Sequence, residues 1–113
     1  KHAALAVAET LAIDHHDQGV YIGCACPQGM RTPMLLGQLD GAPPALAAFG
    51  LAGAIEPIEA ATRIVDGIEA GQFLIVTHPE VHTYAQRRAA DHDRWLNGLR
   101  RMYHGLETNA HRP

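Results

Sequence analysis

The chain has 113 residues, 47% of them hydrophobic and 19% charged, a mix that excludes a disordered or fibrous segment and gives room for one ordinary core. A formal charge of -3 leaves no basic surplus to neutralise phosphates, so nucleic acid is not expected as a partner. No apolar run approaches the roughly 18 residues a membrane span needs, and Lys1 leads into a helical pattern without a signal-peptide layout; no membrane association is expected, and the expected compartment is the cytoplasm.

Residues 1–19 are predicted to be a helix. Leu5, Val7, Ala8, Leu11, Ala12 and Ile13 form an apolar sector broader than a one-sided surface helix needs, so two of its faces should find partners, and Gly19 stands where a glycine cap is common. Residues 20–26 are apolar without alternation, which predicts a strand covered on both faces, as in a parallel sheet. Cys24 and Cys26 point to one face of that strand and match no redox or zinc spacing, so they are expected as reduced, buried thiols. Residues 27–55 are rich in proline and glycine yet apolar, the character of a lid or binding loop, with a short helix expected over 45–49. A second helix is expected over 56–70, opened by Glu56-Pro57, carrying Ile58, Ala61, Ile64, Val65 and Ile68 at helical spacing, and closed by Gly71. Residues 73–77 predict another buried strand, and 79–104 a third helix with Val81, Tyr84, Trp95, Leu96, Leu99 and Met102 on its apolar side. Residues 105–113 are expected to be a frayed tail.

Two apolar strands joined through a helix form a βαβ crossover, which implies parallel placement in one sheet. A sheet of two such strands leaves unpaired backbone edges on strands that read as interior ones. The material that completes it is expected to be an N-terminal half or identical chains. The first is favoured because a helix already apolar by Leu5 has no cap residue ahead of it.

Three segments then stand together: Lys1-His2-Ala3-Ala4-Leu5, Cys26-Pro27-Gln28-Gly29-Met30-Arg31-Thr32-Pro33-Met34, and Phe73-Leu74-Ile75-Val76-Thr77-His78-Pro79-Glu80. In order and spacing they resemble the later half of the short-chain dehydrogenase/reductase (SDR) family. The resemblance implies an α/β fold, the C-terminal part of a Rossmann-like doubly wound parallel sheet. It also implies an NAD(P)-dependent oxidoreductase that transfers a hydride between the nicotinamide and an alcohol or carbonyl substrate. Lys1 matches the lysine of the family's Tyr-x-x-x-Lys motif. The resemblance gives it contacts to the ribose hydroxyls and a role in lowering the pKa of the tyrosine four residues before it, the acid or base of the reaction.

By the same resemblance, Pro27, Met30 and Thr32 belong to the turn that meets the nicotinamide carboxamide, although Gln28 stands where the family has glycine and Gly29 follows one place later. Met34, Leu35, Leu36 and Phe49 become candidate apolar walls of the substrate loop. No glycine-rich dinucleotide turn can be read in residues 1–113, so NAD or NADP is expected in the parent enzyme, with neither firm cofactor binding nor activity in this chain by itself. The family's habit of associating through helices implies a homo-oligomer. The alternative function is a non-catalytic, self-associating assembly module derived from the same fold.

Eight histidines, among them His78 and His82 at helical i, i+4 spacing and His15-His16 beside Asp17, raise a metal reading. A zinc site needs three or four convergent ligands, which no motif here supplies, so no metal is expected and these histidines read as surface or helix-end groups. Arg87, Arg88, Arg94, Arg100 and Arg101 read as a solvated helix face rather than an anion site.

Overall fold

A computed structural model describes residues 1–110. In chain order it contains α1 (His2–Asp14), a 3-10 turn (His16–Gln18), β1 (Cys24–Cys26), α2 (Pro33–Leu39), α3 (Pro44–Leu51), α4 (Pro57–Glu69), β2 (Leu74–Val76), α5 (Glu80–Ala90) and α6 (His92–Ala110). The protein is α/β and mostly helical, with a two-stranded parallel sheet. Where one core was expected, it divides into two units: Lys1–Gln28 with Ile58–His78, and Gly29–Pro57 with Pro79–Pro113.

In the first unit β1 and β2 pair Cys24 with Leu74, Ala25 with Ile75 and Cys26 with Val76. The ladder begins where the Cys24 N–H donates to the Phe73 carbonyl at 2.7 Å, and just ahead of it the Tyr21 hydroxyl donates to the Gln72 carbonyl at 2.6 Å. The connection is α4, which opens with Pro57, whose fixed φ suits a first turn, and Glu59, whose charge suits the helix N-terminus. It closes on Gly71 in the left-handed region (φ 64), with the Gln72 N–H returning to the Gly67 carbonyl at 3.0 Å. Gly67 lets α4 lie close to β2: a β carbon there would stand 2.6 Å from Ile75 Cγ2. Ala60 and Ile75, 1% and 2% exposed, are the fully buried apolar residues among those described.

The strands are shorter than the apolar runs that predicted them. Each pairs with one neighbour over three residues, and Ala25 and Leu74 are exposed rather than covered on both faces. The first helix ends at Asp14 and hands over to the 3-10 turn and Gly19 (φ 70). No residue of α1 is buried.

In the second unit the expected loop over 27–55 holds two helices. Its prolines act as helix starters: Pro33 follows the cap Thr32 and Pro44 follows Pro43. The single helix expected over 79–104 is two. Asp91 takes extended geometry (φ -156, ψ 93), and its carboxylate accepts the Arg94 N–H at 2.9 Å, a cap that ends α5 and begins α6. α6 packs on α3 and α5. It continues to Ala110, so most of the expected tail is helical, and 111–113 lie outside the described residues. Among the described residues no helix is long and apolar enough to cross a membrane.

Candidate functional site

Beyond β1 the chain passes the exposed Pro27 and Gln28 and enters the second unit. There it runs beside Ile55: the Ile55 N–H donates to the Gly29 carbonyl at 3.2 Å, and the Arg31 N–H donates to the Ile55 carbonyl at 2.9 Å. Both bonds run through Ile55, making a one-residue parallel bridge to Met30 and leaving Met30's own N–H and C=O on the opposite edge. The Thr32 N–H takes that carbonyl at 2.8 Å, which folds the turn back on itself. Arg31 braces it, its Nε donating to the Ala54 carbonyl at 3.3 Å with Glu56 Oε1 3.7 Å away. Both members of that ion pair are largely exposed, so the hydrogen bond does more to hold the turn than the charges do.

Thr32 Oγ1 accepts the Leu35 N–H at 3.3 Å and so caps α2. A hydroxyl that accepts one bond keeps its hydrogen for donation. Met30 and Thr32 thus share one turn, and Met34, Leu35 and Leu36 follow on α2. Met34 is 75% exposed, Leu36 and Phe49 are exposed, and Leu35 is half-buried. None of these four lines the larger cavity described in this unit. Lys1 and Pro27 belong to the first unit. Lys1 is exposed at the N-cap of α1, its carbonyl accepting the Ala4 and Leu5 N–H groups at 3.1 and 3.3 Å.

A polar cluster at the end of β2 escaped the sequence reading. Thr77 and His78 are 0% and 3% exposed, with Thr77 Oγ1 hydrogen-bonded to His78 Nδ1 at 2.8 Å. The Arg63 guanidinium donates to the Thr77 carbonyl, and its other nitrogen meets Glu59 Oε1 at 2.6 Å. His78 is therefore an interior residue rather than the surface group expected, and the threonine hydroxyl beside it satisfies a ring nitrogen that burial would otherwise orphan. The i, i+4 spacing of Glu59 and Arg63 is legible in sequence; the reach of Arg63 to a carbonyl 14 residues away is not. Among the described residues no group of three or more His, Cys, Asp or Glu is placed to hold a metal ion.

Cys24 and Cys26 are free thiols on one face of β1, their sulfurs 3.9 Å apart. They are half-buried rather than buried. Burial pushes the Cys26 thiol up from its ordinary value, with the Cys24 hydrogen bond and charge repulsion from Cys24 adding to it. A thiol so held is a poor nucleophile, because the thiolate is the reactive form.

The fold and turn define an α/β chain with a parallel βαβ crossover. Its likeness to known proteins is local: 41 residues, 36% of the chain, are 39% identical to "Short-chain dehydrogenase virB" of Hypocrea virens. That match spans 16% of the relative's length. No protein-family model matches the chain, and no solved structure matches it.

Proposed function

We propose that the chain is the C-terminal portion of an NAD(P)-dependent short-chain oxidoreductase, acting on an alcohol or carbonyl substrate by hydride transfer. The observation that carries the reading is the stretch of identity to a short-chain dehydrogenase, in a chain whose strands pair in parallel across α4. On this reading β1 and β2 are two strands of a Rossmann-like sheet. The turn follows β1 in sequence, and segments that follow parallel strands are those from which open α/β sheets draw ligand-binding residues.

The residues of that turn fit the nicotinamide end of a dinucleotide. The Thr32 hydroxyl hydrogen and the Met30 N–H are donors suited to a carboxamide oxygen. When bound, the nicotinamide supplies or accepts the hydride. Lys1 would hold ribose hydroxyls and keep a positive charge near a phenol, favouring its ionised form. Pro27 has no N–H with which to continue a ladder, and so ends β1 ahead of the turn. Met34, Leu35, Leu36 and Phe49 would face the apolar part of a substrate. Residues 1–113 hold no glycine-rich phosphate turn, so on this reading phosphate binding falls to an N-terminal half, identical chains could complete the sheet but not supply that turn, and the chain by itself should be inactive.

The test is titration of NADH and NADPH, followed by fluorescence, into the natural full-length protein and into residues 1–113 alone. Binding by the first and none by the second is the expected result. A full-length protein that binds neither dinucleotide would overturn the proposal.

A second reading, a non-catalytic assembly module, is favoured by the 58% and 76% exposure of Val7 and Ile13 on α1. It predicts oligomers by light scattering with no dinucleotide binding at any assembly state.

A further inference from the structure

The larger of the two cavities described, about 670 Å³, is a groove along α5 and α6. That volume falls within the span of roughly 300–1,000 Å³ typical of small-molecule sites. Two rows of α6 build it. Trp95, Leu99 and Met102 stand at i, i+4 and i+7 and give an apolar side; Arg94, Gly98 and Arg101 stand at the same spacing one residue earlier and give a cationic one. Arg87, from the last turn of α5, adds a third guanidinium. Gly98 is the notch between Arg94 and Arg101, and a β carbon there would meet nothing within 4 Å.

The indole of Trp95 is fixed on its other contacts. The Arg88 guanidinium lies 5.3 Å from its ring centroid, and His92 meets it edge-on with centroids 5.8 Å apart. Asp91 also lines the groove, where its carboxylate accepts the Arg94 N–H and offsets part of the positive charge. Neither the salt bridge of Arg31 with Glu56 nor that of Arg63 with Glu59 involves a groove arginine. Three guanidinium groups against the one Asp91 carboxylate leave the apolar slot with a surplus of positive charge, which attracts a counter-charge. A merely solvated helix face explains the arginines, but it does not explain a hollow with an apolar side next to them.

We infer that this groove binds an amphipathic anion, a small molecule with an apolar body and a single carboxylate head. The body lies against Trp95, Leu99 and Met102, and the head sits between Arg94 and Arg101, where planar guanidinium groups match a carboxylate. The inference does not rest on the nucleotide reading, since no residue is shared between the two sites.

Decanoate is the probe, with 1-decanol and decyltrimethylammonium as uncharged and cationic controls, titrated into the natural full-length protein. Calorimetry gives the affinity, and the part of the tryptophan emission that Trp95→Phe removes reports occupancy of the groove. Decanoate should bind at least about tenfold more tightly than either control, and replacing both Arg94 and Arg101 by Gln should weaken it by about the same factor. Gly98→Leu fills open space on a helix that prefers leucine to glycine, so it should keep the melting temperature while abolishing binding. Absence of decanoate binding would overturn the inference. So would equal affinity for decanol, an unchanged Kd in the double Gln variant, or full binding by a folded Gly98→Leu protein.

Discussion

Substitutions at Thr32 separate the two tasks its side chain is given. Its oxygen caps α2 by accepting the Leu35 N–H at 3.3 Å, and its hydrogen is proposed to reach a nicotinamide carboxamide. Thr32→Ala removes both, costing about 1 kcal/mol of stability through the lost cap. Thr32→Asp keeps an acceptor that caps at least as well as threonine, and its charge suits the helix N-terminus, so α2 should be as stable as before. An ionised carboxylate only accepts, however, so the proposed donation is lost. One neutral hydrogen bond is worth about 0.5–1.5 kcal/mol net, which raises the dinucleotide Kd roughly 2- to 13-fold. Thr32→Ser keeps both tasks. Thermal melts and NADH and NADPH titrations of the full-length protein, with ADP as a control lacking the nicotinamide, should find serine near wild type in both assays, alanine weak in both, and aspartate stable but weak in dinucleotide binding alone. If aspartate binds the dinucleotide as tightly as serine does, Thr32 is a cap and nothing more.

Gly67→Ala would set a methyl group 2.6 Å from Cγ2 of the buried Ile75. Overpacking of about 1–3 kcal/mol then outweighs the roughly 1 kcal/mol that alanine gains over glycine in a helix. In an Ile75→Ala background, which removes both γ carbons, the sign should reverse, and denaturant melts of the four proteins measure this coupling. Arg63→Met leaves the Thr77 carbonyl without its guanidinium donor and should cost about 1–2 kcal/mol. Glu59→Gln should cost less than about 1 kcal/mol, because that ion pair is more than a third exposed; equal losses in the two melts would refute the ranking. The Cys26 thiol, pushed up by burial, should be alkylated by iodoacetamide more slowly than the same thiol in the denatured chain at neutral pH, the gap closing as pH rises through its raised value. The sign for stability follows: the folded state holds this proton more tightly, so the contribution is present below the unfolded-state pKa and lost as pH climbs through the folded one. Equal alkylation rates at neutral pH would contradict this.

What could be read in the sequence depended on whether the signal was local. α4 was legible because its periodicity, its opening proline and its closing glycine lie within 15 residues of one another. The parallel pairing was legible because two apolar runs flank that helix, but strand lengths were not, since a ladder runs only as far as the partner backbone stays alongside, which a local apolar run does not reveal. The adjacency of Met30 and Thr32 came with their spacing. Of the two helices within 33–51, α3 contains the short helix expected over 45–49, while α2 was missed because a stretch rich in proline and glycine reads as a loop, although Pro33 and Pro44 stand in first turns, where the lost N–H costs nothing. The break at Asp91 was missed because apolar periodicity resumes beyond it, and only the cap to Arg94 reveals the interruption. The groove was hidden for a related reason: Gly98 in a periodic helix looks like a weak position, and becomes a notch only once the flanking arginines are placed.

Large apolar side chains stand in solvent on helices of the sheet's unit: Ile13, Ile58 and Val65 are 76%, 77% and 52% exposed. Burying a side chain of this kind is worth about 1.5–3 kcal/mol, so covering the three is worth on the order of 5 kcal/mol, comparable with the roughly 5–15 kcal/mol that holds a whole domain folded. The folded state of these residues should therefore depend on the protein that covers those faces. Residues 1–113 prepared alone should melt without a sharp transition unless they assemble, and should bind 8-anilinonaphthalene-1-sulfonate, a reporter of exposed apolar surface. A cooperative two-state melt of a monomer, with calorimetric and van't Hoff enthalpies in agreement, would show that the surface argument is wrong.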